Sequence, residues 1–157
     1  VLILYKFIIM TYSHEFFMLE ALKEARKAYH KDEVPVGAII TSNNRIISRS
    51  HNLCETLSDP TAHAEMQALS SACFSLKTQY LTNCIIYTTL EPCAMCAGAL
   101  FWSQINTVVF GANDQKRGMN LIQKKLLHPK TKILSGILSE KCSYILSDFF
   151  QKKRKLN

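Results

Sequence analysis

The chain has 157 residues, of which 48% are hydrophobic and 20% charged, with five glycines and four prolines. That is the size of one domain with a single core; it is too apolar for a disordered chain, too poor in Gly and Pro for a collagen-like one, and has no fixed-period repeat. The formal net charge of +7 suits a polyanionic partner, nucleic acid or an anionic membrane, without choosing between them.

The first ten residues, Val1-Leu2-Ile3-Leu4-Tyr5-Lys6-Phe7-Ile8-Ile9-Met10, are strongly apolar. They lack the basic front and small-residue cleavage site of a signal peptide, and the run falls short of the ~20 residues of a membrane span. Residues 1–13 are read as an N-terminal extension. Either it begins upstream of a true initiator at Met10, or it is a genuine segment that packs as an extra strand.

Residues 14–157 are expected to form one domain. His14 to His30 reads as a helix, with Phe17, Met18, Ala21, Leu22, Ala25 and Ala28 on one stripe. Val34-Pro35-Val36-Gly37-Ala38-Ile39-Ile40 ends it and opens a strand. Asn43-Asn44 marks a turn, and Arg45-Ile46-Ile47-Ser48 returns as the second arm of a hairpin. A polar loop runs to Asp59-Pro60, where Asp59 is expected to cap a helix from about Thr61 to Leu76. Cys84 to Thr88 is a short strand, Pro92 opens a helix through Phe101, and Asn106 to Gly111 is another strand. Residues 112–131 read as a long polar loop. Lys132-Ile133-Leu134-Ser135 is a further candidate strand, and Ser139 is expected to cap a last helix carrying Cys142, Ile145, Leu146 and Phe149. The order αββαβαβα, with that further strand, argues an α/β three-layer α/β/α sandwich on a mixed sheet of about five strands.

Six cysteines are present. The chain is neither small nor Cys-dense, so reduced thiols in the cytoplasm are the better reading. Cys54, Cys73, Cys84 and Cys142 sit among apolar neighbours or in loops and read as packing residues.

Cys93 and Cys96 differ. His63-Ala64-Glu65 and Pro92-Cys93-Ala94-Met95-Cys96 place one imidazole and two thiols at the starts of successive helices. A catalytic zinc takes three protein ligands and keeps one position for water, whereas a structural zinc wants a fourth ligand, and no fourth accompanies this pair. Helix N-termini stabilise thiolates, and strand ends of open α/β sheets are where sites form. Two residues apart on a helix, His63 and Glu65 do not share a face. Glu65 therefore suits a role towards a bound water better than a role as ligand. Taken singly, Cys-x-x-Cys could be a redox pair and His-x-Glu a solvated pair.

With these motifs the chain resembles the zinc-dependent nucleoside and base deaminases, whose signature is His-x-Glu followed by Pro-Cys-x-x-Cys. Within them it is similar to the branch that deaminates adenosine in transfer RNA. The resemblance rests on Val34-Pro35-Val36-Gly37-Ala38, Asn52, Asp59-Pro60-Thr61-Ala62-His63-Ala64-Glu65-Met66, Thr89-Leu90-Glu91-Pro92-Cys93-Ala94-Met95-Cys96-Ala97-Gly98-Ala99, Val109-Phe110-Gly111-Ala112 with Asp114, Gly136-Ile137-Leu138 and Leu146-Ser147-Asp148-Phe149-Phe150. It implies a cytidine deaminase-like fold in which His63, Cys93 and Cys96 hold one Zn²⁺. Glu65 would carry protons between the attacking water, ring N1 and the leaving ammonia.

The resemblance further implies that Asn52 and the backbone near Ala38 contact a flipped base, and that Asp114 lies in a segment bordering the substrate. The implied substrate is the wobble adenosine of a tRNA anticodon stem-loop, in arginine tRNA, read by a cytoplasmic homodimer without membrane association. Lys152, Lys153 and Arg154 would meet phosphates, Phe149 or Phe150 would stack on a base, and Lys116 and Arg117 are weaker phosphate candidates. The chain departs from the family pattern at Asn113-Asp114-Gln115-Lys116-Arg117-Gly118-Met119-Asn120, where the family has Arg-Asp and then a Lys-Thr-Gly-rich stretch.

Two other readings compete. A guanine or cytidine deaminase acting on a free base or nucleoside would share the metal site but would not need the basic C-terminal tail. A zinc-stabilised RNA-binding module would need no Glu65.

Overall fold

The computed structural model describes residues 12–156. The apolar run of residues 1–10, and both readings of it, lie outside the described residues. In α1 (His14–His30), Phe17, Met18, Ala21, Leu22, Ala25 and Ala28 are all buried. The helix starts where the Ser13 side chain accepts from the Phe16 N–H at 3.1 Å, satisfying a backbone donor that the helix leaves unpaired. Ser13 is thus the N-cap of α1.

The alanines on that stripe let α1 lie directly on the sheet. At Gly37 an added Cβ would sit 2.1 Å from the Ala21 carbonyl oxygen and 2.4 Å from the Ala25 nitrogen. Gly37 opens β1 (Gly37–Ser42), and β2 (Arg45–His51) pairs with it antiparallel. Asn43 and Asn44 both adopt positive φ, 48° and 61°. These are the values of a two-residue hairpin turn whose twist matches the strands.

Crossovers follow. α2 (Cys54–Leu57) is a single turn within the expected polar loop, and α3 (Ala64–Leu76) leads into β3 (Cys84–Leu90). α4 (Ala94–Trp102) connects β3 to β4 (Thr107–Ala112). A 3-10 turn at Met119–Leu121 interrupts the long loop before β5 (Lys132–Ser135), and α5 (Ser139–Leu156) closes the domain. The sheet order is β2-β1-β3-β4-β5, with β1 antiparallel to both neighbours and β3, β4 and β5 mutually parallel.

The core lies in two layers. One packs Ala64, Ala68, Leu69 and Ala72 of α3 and Ala97 and Leu100 of α4 against Ile40, Ile86, Val108 and Phe110. The other packs α1 and Cys142 of α5 against Ile39, Tyr87 and Val109. Alternate strand residues therefore face opposite layers, as the pleat requires. The expected three-layer sandwich on a five-stranded mixed sheet is what the chain forms.

Three helix starts differ from expectation. Asp59 does not cap a helix; its Oδ1 accepts from the Thr61 N–H and hydroxyl at 2.8 and 2.7 Å and folds a turn instead. α3 begins at Ala64, past the expected start near Thr61, with His63 as its N-cap. Cys93 likewise precedes α4 as its N-cap. Ser139 is the first helical residue of α5 and not its cap, because Gly136 and Leu138, at φ 83° and 53°, turn the chain just before it.

Candidate active site

The antiparallel setting of β1 makes β2 run parallel to β3, β4 and β5. One edge of the sheet therefore gathers the C-terminal ends of β2, β3 and β4 and the start of β1. Asn52 follows β2, the Glu91-Pro92-Cys93 segment follows β3, Asp114 follows β4, and Gly37-Ala38 begins β1. The N-termini of α3 and α4 sit on the same edge.

Both N-cap residues are extended, His63 at φ −66° and ψ 154° and Cys93 at φ −75° and ψ 175°, and neither side chain caps its own helix. They face one another instead. His63 Nδ1 lies 3.7 Å from Cys93 Sγ and 3.5 Å from Cys96 Sγ. Zinc bonds of ordinary length at a tetrahedral angle set the N···S separation at about 3.6 Å. The donor set therefore fits the ion in chemistry and in size. Among the described residues, His63, Cys93 and Cys96 form a group whose ligand atoms lie within 4.8 Å of one another, and Glu65 is not part of it.

In the absence of metal the three groups share protons, with Cys93 the one that ionises most readily. Hydrogen bonds from Cys96 and then His63, opposed by burial, bring the Cys93 thiol down to about 4. Cys96, beside that thiolate and buried, is pushed up. His63 is raised, first by its hydrogen bond to Cys93. Thiolates are what zinc binds.

Glu65 stands in the first turn of α3 and is buried. Burial pushes its carboxyl up to about 7, although its own backbone N–H and the His63 charge pull the other way. A carboxyl group near neutrality can both take and return a proton.

Asn52, just after β2, is buried at the same end of the sheet. Its backbone N–H reaches the Val36 carbonyl at 3.0 Å, and the next residue, Leu53, donates to the carbonyl of Ala62 at 3.0 Å, one residue before His63. The Asn52 side chain donates to Glu33 Oε2 at 3.1 Å and accepts from the Cys54 thiol at 3.1 Å. Glu33, which sequence reasoning passed over, is fully buried. The available signal was a carboxylate directly before Val34-Pro35-Val36-Gly37. Ala38 is also fully buried, with its backbone set between Ser50 and Thr88. Its side chain is therefore core, and a base contact at this position would be made by the neighbouring backbone at the start of β1.

The divergent segment after β4 is pinned to the metal-binding turn. Glu91, buried before Pro92, accepts from the backbone N–H groups of Asp114 and Asn120 at 3.0 and 2.8 Å. Gly118 forms a bridge to Cys93, and a Cβ there would lie 2.5 Å from the Glu91 carboxyl carbon. Sequence reasoning quoted Glu91 but gave it no role. Asp114 Oδ1 accepts from the Lys116 and Arg117 N–H groups at 2.9 and 3.0 Å, so its carboxylate shapes its own loop. Lys116 and Arg117 are exposed, and the Arg117 charge acts on His63.

At the far end, α5 continues as a helix through the basic residues. Phe149 is buried, edge-on to Tyr29 at 5.7 Å, and Phe150 is exposed. Lys152 donates to the Tyr29 hydroxyl at 2.5 Å and pairs with Asp148 at 3.0 Å, and Lys153 pairs with Asp32. Arg154 is exposed. Among the described residues, no helix is long and apolar enough to cross a membrane.

Residues 11–112 match the family model for the cytidine and deoxycytidylate deaminase zinc-binding region. A tRNA-specific adenosine deaminase of Bacillus subtilis is 47% identical over 146 residues, covering 90% of this chain and 91% of that protein. One of Aquifex aeolicus is 48% identical over 145 residues, covering 89% and 95%. A structure from a study of A-to-I editing by tRNA:A34 deaminases superposes with a TM-score of 0.78 at 38% identity, covering 83% of this chain and 99% of that one. A Bacillus subtilis guanine deaminase superposes less completely, with a TM-score of 0.62 over 65% of this chain and 66% of that one, also at 38% identity.

Proposed function

Because the chain belongs to the cytidine and deoxycytidylate deaminase zinc-binding family, we propose that it deaminates adenosine to inosine in transfer RNA. The observation that carries this reading is near 48% identity to a tRNA-specific adenosine deaminase across about nine-tenths of both chains. The substrate is proposed more finely as the wobble adenosine of an arginine anticodon stem-loop, whose bases are already unstacked.

His63, Cys93 and Cys96 would hold zinc, which when bound makes a water acidic enough to be deprotonated near neutral pH. Glu65 takes the first proton from the attacking water and passes it to adenine N1; it then takes the second from the hydroxyl now on C6 and delivers it to the departing amino group, so that the C6–N bond breaks and inosine and ammonia are released. Its burial beside the metal group supports this role, since desolvation makes a carboxylate a better proton acceptor than an exposed one. A module that only bound RNA would have no use for such a group. Asn52 meets the inserted base. Exposed Arg117 beside the metal group, exposed Arg154 and exposed Phe150 are the candidates for RNA contact, the cations at phosphates and the ring on a base. Lys152 and Lys153, already paired within the domain, are weaker phosphate candidates than Arg154.

The assembly is proposed as a cytoplasmic homodimer, supported by the highly exposed Phe74 on α3 and Trp102 on α4, two helices that cover the same sheet face. Equilibrium sedimentation of the zinc-loaded protein tests the assembly.

The reaction is tested by incubating zinc-loaded protein with an arginine anticodon stem-loop bearing adenosine at the wobble position and digesting the product to nucleosides. Inosine is expected. The structural likeness to a guanine deaminase favours free guanine as the second substrate to try; turnover of guanine without inosine formation would replace this reading.

A further inference from the structure

We infer that Glu33 is a positioning residue for base recognition: its carboxylate fixes which way the Asn52 amide points. The inference rests on the reading of Asn52 as a base contact. It starts from the partners of one buried carboxylate.

Glu33 lies in the link between α1 and β1 and is fully buried. Among the described residues it forms no ion pair. Oε1 accepts from Thr56 N at 2.6 Å, Oε2 accepts from Glu55 N at 3.2 Å and Asn52 Nδ2 at 3.1 Å, and the Thr56 side chain bonds to the carboxylate as well. Two of these donors are the first-turn backbone of α2, so the carboxylate holds that turn as well as the Asn52 side chain. α2 begins with Cys54, whose thiol donates to Asn52 Oδ1.

An ionised carboxylate accepts and cannot donate. Only the Nδ2 end of Asn52 can therefore face it. A flipped amide would set Oδ1 against Oε2, two acceptors in contact within a buried site, and would turn Nδ2 towards a thiol. The Cys54 S–H, kept protonated by burial and by neighbouring acidic charge, enforces the same sense from the other side. Asn52 is left with one N–H and one lone pair in a fixed order. A base that needs that order is accepted, and one that needs the reverse meets donor against donor. The backbone of Asn52 is tied to Val36, and that of Leu53 to the residue before His63, so the amide belongs to the same end of the sheet as the metal group. Glu33 itself touches neither the metal group nor a substrate.

Glu33→Gln tests this directly. Oε1 can still accept from Thr56, so the α2 turn keeps its shorter bond. An Nε2 amide now stands where Oε2 was, and Asn52 must flip to offer it Oδ1. The expected result is a fall in kcat for the wobble-adenosine stem-loop of about tenfold or more, the scale of a mispaired buried hydrogen bond. Zinc content and the dissociation constant of the RNA should be unchanged, because phosphate contacts dominate RNA affinity.

Asn52→Ala is measured beside it. Loss of turnover in both variants supports the inference. Loss in Asn52→Ala with full turnover in Glu33→Gln overturns it and leaves the Asn52 reading standing. Full turnover in Asn52→Ala removes the Asn52 reading and the inference together. Should Glu33→Gln fold poorly, the double variant Glu33→Gln/Asn52→Asp restores a donor facing a carboxylate with the roles exchanged. Recovered Tm without recovered turnover is expected, since the stability of the pair returns while the N–H offered to the base does not. Recovery of both would mean Glu33 acts only on folding, and recovery of neither would refute the pairing.

Discussion

Replacing Gly37 with Ala asks how closely α1 must approach the sheet. The added Cβ would lie 2.1 Å from the Ala21 carbonyl oxygen, 2.4 Å from the Ala25 nitrogen and 2.9 Å from Glu24 Cβ. Two of these atoms are helix backbone, so no side chain can swing aside. Relief requires α1 to lift by about 1 Å, judged from ordinary van der Waals separations. Lifting loosens the layer formed by Phe17, Met18, Ala21 and Leu22 against Ile39, Tyr87 and Val109. It also disturbs the Gly37 N–H bond to the Thr89 hydroxyl at 3.1 Å.

Overpacking of this kind costs about 3 kcal/mol or more when backbone must move. At about 2–4 °C per kcal/mol for a domain of this size, Tm should fall by about 6–12 °C. Differential scanning calorimetry of both proteins, zinc-loaded and at equal concentration, measures the shift. A change of less than about 2 °C would refute the claim that helix and strand backbones are in contact here.

Glu65→Gln should keep stoichiometric zinc by elemental analysis yet lose inosine formation by at least about 100-fold, since the amide cannot carry a proton. Cys93→Ser should lose zinc and turnover together, and chelation of the parent protein should abolish turnover until zinc is restored; metal uptake in unbuffered solution should release protons as thiols ionise. Glu33 is held below the ordinary carboxylate range because, although burial opposes it, the N–H groups of Thr56 and Glu55 favour the charged form. A depressed folded pKa contributes stability that is full above about 4.5 and is lost as pH falls through the lower folded value. Chemical denaturation between about pH 5 and 3 should therefore show a shallower acid loss in Glu33→Gln than in the parent. Gly118→Ala would press a methyl group on the Glu91 carboxyl and the Asp114 carbonyl oxygen, at 2.5 and 2.6 Å. It should lower turnover with zinc content unchanged, as measured in the stem-loop assay.

The periodic signals were legible because each is written locally. The stripe on α1 needs only helical spacing, the Asn43-Asn44 turn needs only side chains that tolerate positive φ, and β3 and β4 are runs of β-branched and apolar residues. The metal group was legible for a different reason: imidazole and paired thiols at short spacing are few in a sequence, and their chemistry limits what they do. Helix starts were misread at Asp59 and Ser139 because capping residues also fold turns, and the choice depends on which N–H groups come within reach.

What the sequence by itself determined is the inventory of chemistry, a three-ligand zinc set with a carboxylic acid beside it on an α/β frame. Only the tertiary structure decided which other residues serve that set. Glu33 and Glu91 look like ordinary surface carboxylates along the chain, and become buried acceptors because sheet topology brings α2 and the residue 113–120 segment against them. Phe149 and Phe150 are indistinguishable in sequence, and one is core only because α5 turns it onto Tyr29. Side-chain type is a local property, whereas burial and hydrogen-bond partners are set by segments distant along the chain that packing alone brings together.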